Sequence, residues 1–180
     1  MNQLSLAKAL FLDRDGIINI DHGYVSKIED FEFTKGIFEL LKLFIKKGYI
    51  LFIVTNQSGI GRGYYSKEDF KILTEWMLDV FKKENIYIES VEYCPHAPEE
   101  NCSCRKPNIG MIESILSKHR VALENSWMIG DKQSDIDLAY NASINHTISI
   151  GNRKINNSEL SFTSILECYR YLKENQDKIK

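Results

Sequence analysis

Ala9-Leu10-Phe11-Leu12-Asp13-Arg14-Asp15-Gly16 joins an unbroken apolar run to two acids and a glycine. Four consecutive apolar residues suit a strand buried on both faces, as in a parallel sheet, and the acids that follow at once stand at its carboxyl end. Gly16 lets the chain turn away. Two acids separated by one residue leave a strand in different directions, so one can attack while the other moves protons. Taken alone, Asp-x-Asp would equally suit a solvated turn after a strand.

Working outward, the same alternation recurs. Leu51-Phe52-Ile53-Val54 runs into Thr55-Asn56-Gln57, and Trp127-Met128-Ile129 into Gly130-Asp131-Lys132, with Asp135 one helical turn further on. Further strands are expected over 86–93 and 147–150, and the first is expected to span 7–12. Amphipathic stripes fill the intervals. Phe38, Leu41 and Ile45 mark a helix closed by Gly48. Ser66 is an N-cap for a helix carrying Phe70, Leu73, Met77, Val80 and Phe81 to about Glu84. Met111, Ile112, Ile115, Leu116 and His119 form a fourth stripe, 134–141 a short helix, and Phe162, Ile165, Leu166, Tyr169 and Leu172 a last one. Strands alternating with helices predict an α/β protein: an open, mainly parallel sheet with helices on both faces.

Composition fits that reading. The 180 residues carry 23 Lys+Arg against 25 Asp+Glu, a net charge of −2, with 43% apolar and 27% charged residues. Disorder and a disulfide-stapled miniprotein are poor fits to such values. The longest apolar run, Tyr49 to Val54, is far short of a membrane span. Leu4 to Leu12 is broken by Lys8 and closed by Asp13-Arg14-Asp15 without a small-residue cleavage site, so a cytoplasmic protein is expected. Balanced charge with no basic block argues against nucleic acid as the main partner.

In an open parallel sheet, ligands gather beyond the carboxyl ends of the strands. Asp13, Asp15, Asp131, Asp135 and Thr55 would share that rim. Carboxylates so crowded repel one another, and the usual remedy is a hard divalent cation held through oxygen, most often Mg²⁺ where phosphate is also bound. A second cluster is separate. Cys94, His96, Cys102 and Cys104 fall within eleven residues as C-x-H-x5-C-x-C, a Cys3His set suited to structural Zn²⁺. The loop ends in Arg105-Lys106-Pro107, so zinc there would place two cations at the rim. Cys168 is expected to be an inert core thiol, and His119 and His146 to be structural or on the surface.

Taken together, D-x-D-G after one strand, Thr after the next, a Lys before a later helix and G-D-x-x-x-D after another strand resemble the haloacid dehalogenase superfamily of phosphohydrolases, over about Lys8 to Ile150. The resemblance implies a Rossmann-like fold, one domain over 1–180 with a zinc loop at 94–104, and a Mg²⁺-dependent two-step phosphate hydrolysis. It implies Asp13 as nucleophile and Asp15 as general acid and base, with Thr55 and Lys106 holding the phosphoryl oxygens. It also implies Mg²⁺ held by Asp13, the Asp15 carbonyl and Asp131, with Asp135 orienting Lys106 or a metal-bound water. Ile17 stands where the superfamily commonly has Thr.

Cys-Pro-His before Cys-x-Cys-Arg-Lys-Pro is similar to a narrower group, the D-glycero-D-manno-heptose 1,7-bisphosphate 7-phosphatases and related histidinol-phosphate phosphatases. Asp21-His22-Gly23-Tyr24-Val25 and Thr55-Asn56-Gln57-Ser58-Gly59-Ile60-Gly61-Arg62-Gly63 lean toward the heptose branch. That implies a monomer acting on a small phosphorylated sugar, with Asp21, His22, Gly23, Tyr24, Asn56, Gln57, Ser58, Arg105 and Lys132 as substrate contacts. Arg62 is read either as a further contact or as a solvated loop residue. Histidinol phosphate stays open as substrate. A DNA 3′-phosphatase and a catalytically silent zinc-loop binding module are the more distant alternatives. With the 180 residues spent on β-α units, no separate cap domain is expected, and loops 16–33, 56–65 and 94–109 must supply selectivity.

Overall fold

The strand β1 (Ala9–Leu12) runs through the middle of a six-stranded sheet in the computed structural model, which describes residues 6–180. On one side lie β2 (Ile50–Asn56) and β3 (Ile88–Cys94); on the other lie β4 (Trp127–Gly130), β5 (His146–Ile150) and β6 (Leu160–Phe162). The order is β3-β2-β1-β4-β5-β6 and every neighbouring pair is parallel. Leu10 stands beside Leu51 on one flank and Trp127 on the other. Strand order therefore reverses across β1, and the crevice where ligands collect opens at the carboxyl ends of β1, β2 and β4.

The apolar runs alternate between two cores because successive side chains leave opposite faces. Leu10 and Leu12 join Leu40, Phe44, Leu73, Met77, Ile165 and Leu172 on one face, under α1 (Ile37–Lys46), α3 (Lys67–Lys83) and α6 (Ile165–Glu174). Ala9 and Phe11 join Phe52, Met111, Ile115, Leu138 and Ala139 on the other, under α4 (Gly110–Leu116) and α5 (Gln133–Asn141). Helices thus cover both faces, and among the described residues no separate cap domain stands over the sheet. None of the described helices is long and apolar enough to cross a membrane.

Several details differ from the sequence reading: β3 starts at Ile88 rather than Ile86 and ends at Cys94, and α4 stops at Leu116, short of His119. Phe162 belongs to β6, paired with Ile150, because Ser164 caps the last helix and starts it only at Ile165. A single-turn helix, α2 (Ser58–Gly61), follows β2 where only a loop is expected. Ala7 makes an isolated bridge to Val121 outside β1. Leu4 and Ser5, at the start of the 4–12 run, lie outside the described residues. The other punctuation is as the sequence indicates. Gly48 takes φ +82 just beyond α1, and Ser66 and Asp69 form a reciprocal capping box at the start of α3. His119 packs edge-on against Phe52, and His146 stacks on Trp127 while pairing with Glu159, so both are structural.

Candidate functional site

At the strand ends the chain assembles a buried ionic cluster. Asp13 follows β1, Asp131 follows β4, and Asp135 sits in the first turn of α5; one carboxylate oxygen from each lies within 4.8 Å of the others. Lys106, from the loop before α4, is buried with them. Its Nζ lies 2.9 Å from Asp13 Oδ1 and 2.7 Å from Asp135 Oδ1, and donates to the Val54 carbonyl at 2.8 Å. Asp135 has a double task, since its Oδ2 also accepts the Asp131 and Lys132 amides at 3.1 and 3.0 Å and so caps its own helix. The chain allows this crowding through two glycines. A Cβ on Gly130 would run into Asp135, and one on Gly16 (φ +90) would lie 2.6 Å from Asp131 Cγ.

Asp13 and Asp135 pair with the buried Lys106 ammonium, whereas Asp131, among the described residues, has only Lys132, 3.8 Å from its Oδ1, and the exposed Arg153, 3.5 Å from its Oδ2. Burial, reinforced by the Asp13 carboxylate, pushes the Asp131 carboxyl up to about 7. Burial alone would lower the Lys106 ammonium, but Asp13 and Asp135 outweigh it and hold the charge well above the usual lysine range. Asp131 Oδ1 is buried without a hydrogen-bond partner. A buried hard oxygen without a hydrogen bond, close to the Asp13 and Asp135 carboxylates, fits a Mg²⁺ ligand set.

The second acid of the first motif is held differently. Asp15 Oδ1 accepts from Arg14 Nη2 at 2.8 Å and Asn19 Nδ2 at 3.0 Å, while Oδ2 accepts from Gln57 Nε2 at 2.9 Å. Arg14 is only 1% exposed, and its Nη2 also donates to the Val25 carbonyl at 2.7 Å, tying loop 16–33 to the site. Gln57 Nε2 reaches Thr55 Oγ1 at 2.8 Å as well, and Tyr65 donates its hydroxyl to Gln57 Oε1 at 2.6 Å. Arg14, Asn19 and Tyr65 were not among the residues picked from the sequence. A cation between two acids was a usable signal for Arg14; nothing in the sequence flagged Asn19 or Tyr65.

Asp21, Gly23, Tyr24, Asn56, Gln57, Ser58 and Lys132 line one hollow of about 220 Å³ beside Asp15 and Tyr65. Lys132 Nζ lies 3.5 Å from Asp21 Oδ2 across it. His22 and Arg105 do not line it. His22 faces Glu32 at 3.8 Å in a neighbouring groove, and Arg105 Nη1 reaches back to the His96 carbonyl at 3.5 Å. Arg62, at the other end of loop 56–65, faces Glu99 at 3.5 Å. The Asn56 amide grips the Lys106 main chain from both sides, accepting from its N–H at 3.0 Å and donating to its carbonyl at 3.3 Å. A larger hollow of about 440 Å³ opens on the β5 side of Asp131 and shares Asp21 with the first, but its walls include Ile20, Ile150, Ile165 and Leu166, and Asp15 and Gln57 do not line it.

Cys94, His96, Cys102 and Cys104 converge into a set that could hold a metal ion. Cys94 and Cys104 sulfurs lie 3.4 and 3.5 Å from Cys102, and His96 Nδ1 lies 3.6 and 3.3 Å from Cys94 and Cys104. These are close to the edges of a tetrahedron with bonds of about 2.0–2.3 Å, and far beyond an S–S bond of about 2.05 Å. The Gln57 and Gly61 amides donate to the Cys94 and Pro95 carbonyls at 2.8 Å each, joining this loop to the one after β2. Cys168 is fully buried in the other core, on the inner face of α6.

A family model described as "HAD-hyrolase-like" matches residues 103–149. The chain is 49% identical over 174 residues to the D-glycero-beta-D-manno-heptose-1,7-bisphosphate 7-phosphatase of Helicobacter pylori strain J99, covering 96% of this chain and 97% of that protein. It is 46% identical to the D-glycero-alpha-D-manno-heptose-1,7-bisphosphate 7-phosphatase of Campylobacter jejuni, over 93% of this chain and 96% of that one. Among solved structures, the D,D-heptose 1,7-bisphosphate phosphatase of B. bronchiseptica, complexed with magnesium and phosphate, superposes with a TM-score of 0.81 at 22% identity. That match covers 93% of this chain and 99% of the other.

Proposed function

The chain belongs to the HAD-like phosphatases named for heptose 1,7-bisphosphate, and on that premise we propose that it removes the 7-phosphate of D-glycero-D-manno-heptose 1,7-bisphosphate through an aspartyl-phosphate on Asp13. The observation that carries this reading is the cluster of Asp13, Asp131, Asp135 and Lys106 at the point where strand order reverses. In the first step an Asp13 oxygen bonds to phosphorus, the bond from phosphorus to the sugar oxygen breaks, and Asp15 gives that oxygen its proton. In the second, Asp15 takes a proton from water, the water oxygen bonds to phosphorus, and Asp13 leaves with its carboxylate restored. The Thr55 hydroxyl and Lys106 ammonium hold the phosphoryl oxygens as negative charge builds on them.

Asp13, Asp131 and the main-chain carbonyl of Asp15 would hold Mg²⁺, with Asp135 fixing Lys106 and the loop that carries Asp131. When bound, the ion neutralises charge on the transferring phosphoryl group and on the three carboxylates around it. Cys94, His96, Cys102 and Cys104 would hold Zn²⁺ as a closed structural site, setting the course of the loop that delivers Lys106. The hollow of about 220 Å³ would take the sugar, with Lys132 and Asp21 against its hydroxyls. Phosphate release from the α and β anomers, compared with histidinol phosphate, tests the substrate. Preference for either heptose anomer by a hundred-fold or more supports the reading, and faster turnover of histidinol phosphate overturns it.

A further inference from the structure

We propose that Tyr65 and Gln57 form a positioning arm that fixes two hydrogen-bond directions at the reacting phosphate: the proton-carrying face of Asp15 and the hydroxyl of Thr55. The inference rests on the roles given to Asp15 and Thr55 above.

Gln57 is 2% exposed although it borders the hollow, and both ends of its amide are engaged by protein. Its orientation follows from chemistry. A carboxylate can only accept, so the Gln57 nitrogen must face Asp15 and the carbonyl must face Tyr65, which then has to donate. Burial pushes the Tyr65 hydroxyl up to about 12, so it keeps its proton at neutral pH. Gly59 makes room for the arm, since a Cβ there would run into the Tyr65 ring.

Two directions follow from this. Asp15 Oδ1 already accepts two donors, Arg14 and Asn19, and Oδ2 accepts one from Gln57. One lone-pair position on Oδ2 is left, and a proton on Asp15 is steered there. Thr55 Oγ1 receives the other Gln57 N–H, so its own hydrogen is released to point elsewhere, toward the phosphoryl oxygens. The Tyr65 hydroxyl makes no hydrogen bond to Asp15 or Thr55, and the hydrogen bond it makes is to Gln57. Both are positioning residues, and neither needs to contact the substrate to affect the rate.

The test compares kcat/KM, which reports events up to formation of the phosphoenzyme, across phosphate monoesters from nitrophenyl to alkyl leaving groups, in the Mg²⁺-loaded full chain. A poorly acidic alkoxide needs the Asp15 proton; a nitrophenolate does not. Asp15→Asn serves as reference and is expected to steepen the dependence on leaving group. Tyr65→Phe, which keeps the ring, is expected to lose about ten- to a hundred-fold on alkyl phosphates and several-fold less on nitrophenyl phosphate. Gln57→Leu should show the same signature, with an added loss on every substrate from Thr55. The double variant should be no slower than Gln57→Leu, because the hydrogen bond that Tyr65→Phe removes ends on Gln57. A steep Asp15→Asn profile beside a uniform loss in Tyr65→Phe overturns this inference alone, as do losses that multiply in the double variant. A flat Asp15→Asn profile overturns the assignment of Asp15, and the arm falls with it.

Discussion

Under the proposed mechanism the chemistry depends on Asp13, and replacing it should separate activity from folding. Asp13→Asn keeps the shape of the side chain but removes the nucleophilic carboxylate, so phosphate release should vanish while circular dichroism and thermal unfolding stay close to wild type. Lys106→Met should instead cost stability: removing the buried ammonium of the cluster leaves Asp13 and Asp135 uncompensated, which costs about 3–5 kcal/mol in urea unfolding of the metal-free protein. A loss below about 1 kcal/mol would show that the pair is not buried in solution as it is here. Asp131 gives a pH signature. In the metal-free protein its carboxyl holds a proton up to about pH 7, whereas an unfolded chain releases it near the ordinary value of 3.8. The folded state therefore binds more protons between those limits, and metal-free stability falls as pH rises through them. Mg²⁺ must displace that proton, so its apparent affinity should rise about ten-fold per pH unit up to about 7 and level off above. Calorimetric titration in buffers of different ionisation enthalpy would see the proton leave; pH-independent binding below 7 would contradict the site. The two acids of D-x-D-G were readable because they sit together in sequence. Asn19 and Tyr65 were not, because what qualifies them is proximity to Asp15 and Gln57, which only folding creates.

At the scale of elements, the sequence was clearest where local chemistry decides the outcome. The capping box of Ser66 and Asp69 starts α3 where the pattern indicates, and Ser66→Ala should cost about 1 kcal/mol in thermal or urea unfolding. Elements set by tertiary pairing were harder to read. β6 is three residues long and exists because Leu160, Ser161 and Phe162 line up beside β5, so Phe162 read alone passes for the first residue of the helix stripe behind it. The loop at 94–104 has little apolar core of its own, which makes it the element most dependent on a bound ion. Metal analysis should find one zinc per chain. Removing it should increase hydrogen exchange over residues 94–106 and lower phosphatase activity, since the same loop carries Lys106 and is tied to the loop after β2. Unchanged activity in protein verified as zinc-free would show that the Asn56 grip on Lys106 suffices without the metal.

Across the whole molecule, alternation of apolar runs and amphipathic stripes was enough to announce a parallel sheet, and polar residues at three strand ends, acids at two of them, marked one edge. Neither indicates the order β3-β2-β1-β4-β5-β6, which brings the ends of β1, β2 and β4 together at one crevice. That order explains how residues as far apart as Asp13 and Asp135 share one cluster, and why the site needs no cap domain to be assembled. Under the proposed function selectivity would fall to the loops around the hollow, where Tyr24 and Tyr64 meet edge to face at 4.7 Å and join loop 16–33 to loop 56–65. The central claim is that the 7-phosphate passes through Asp13. Wild-type enzyme mixed with Mg²⁺ and heptose bisphosphate carrying labelled phosphorus at position 7 can be denatured within one turnover, digested, and its labelled peptide sequenced by mass spectrometry. A hydroxylamine-sensitive label on Asp13 is the predicted result; label on any other residue, or turnover with no labelled peptide at any quench time, would contradict it.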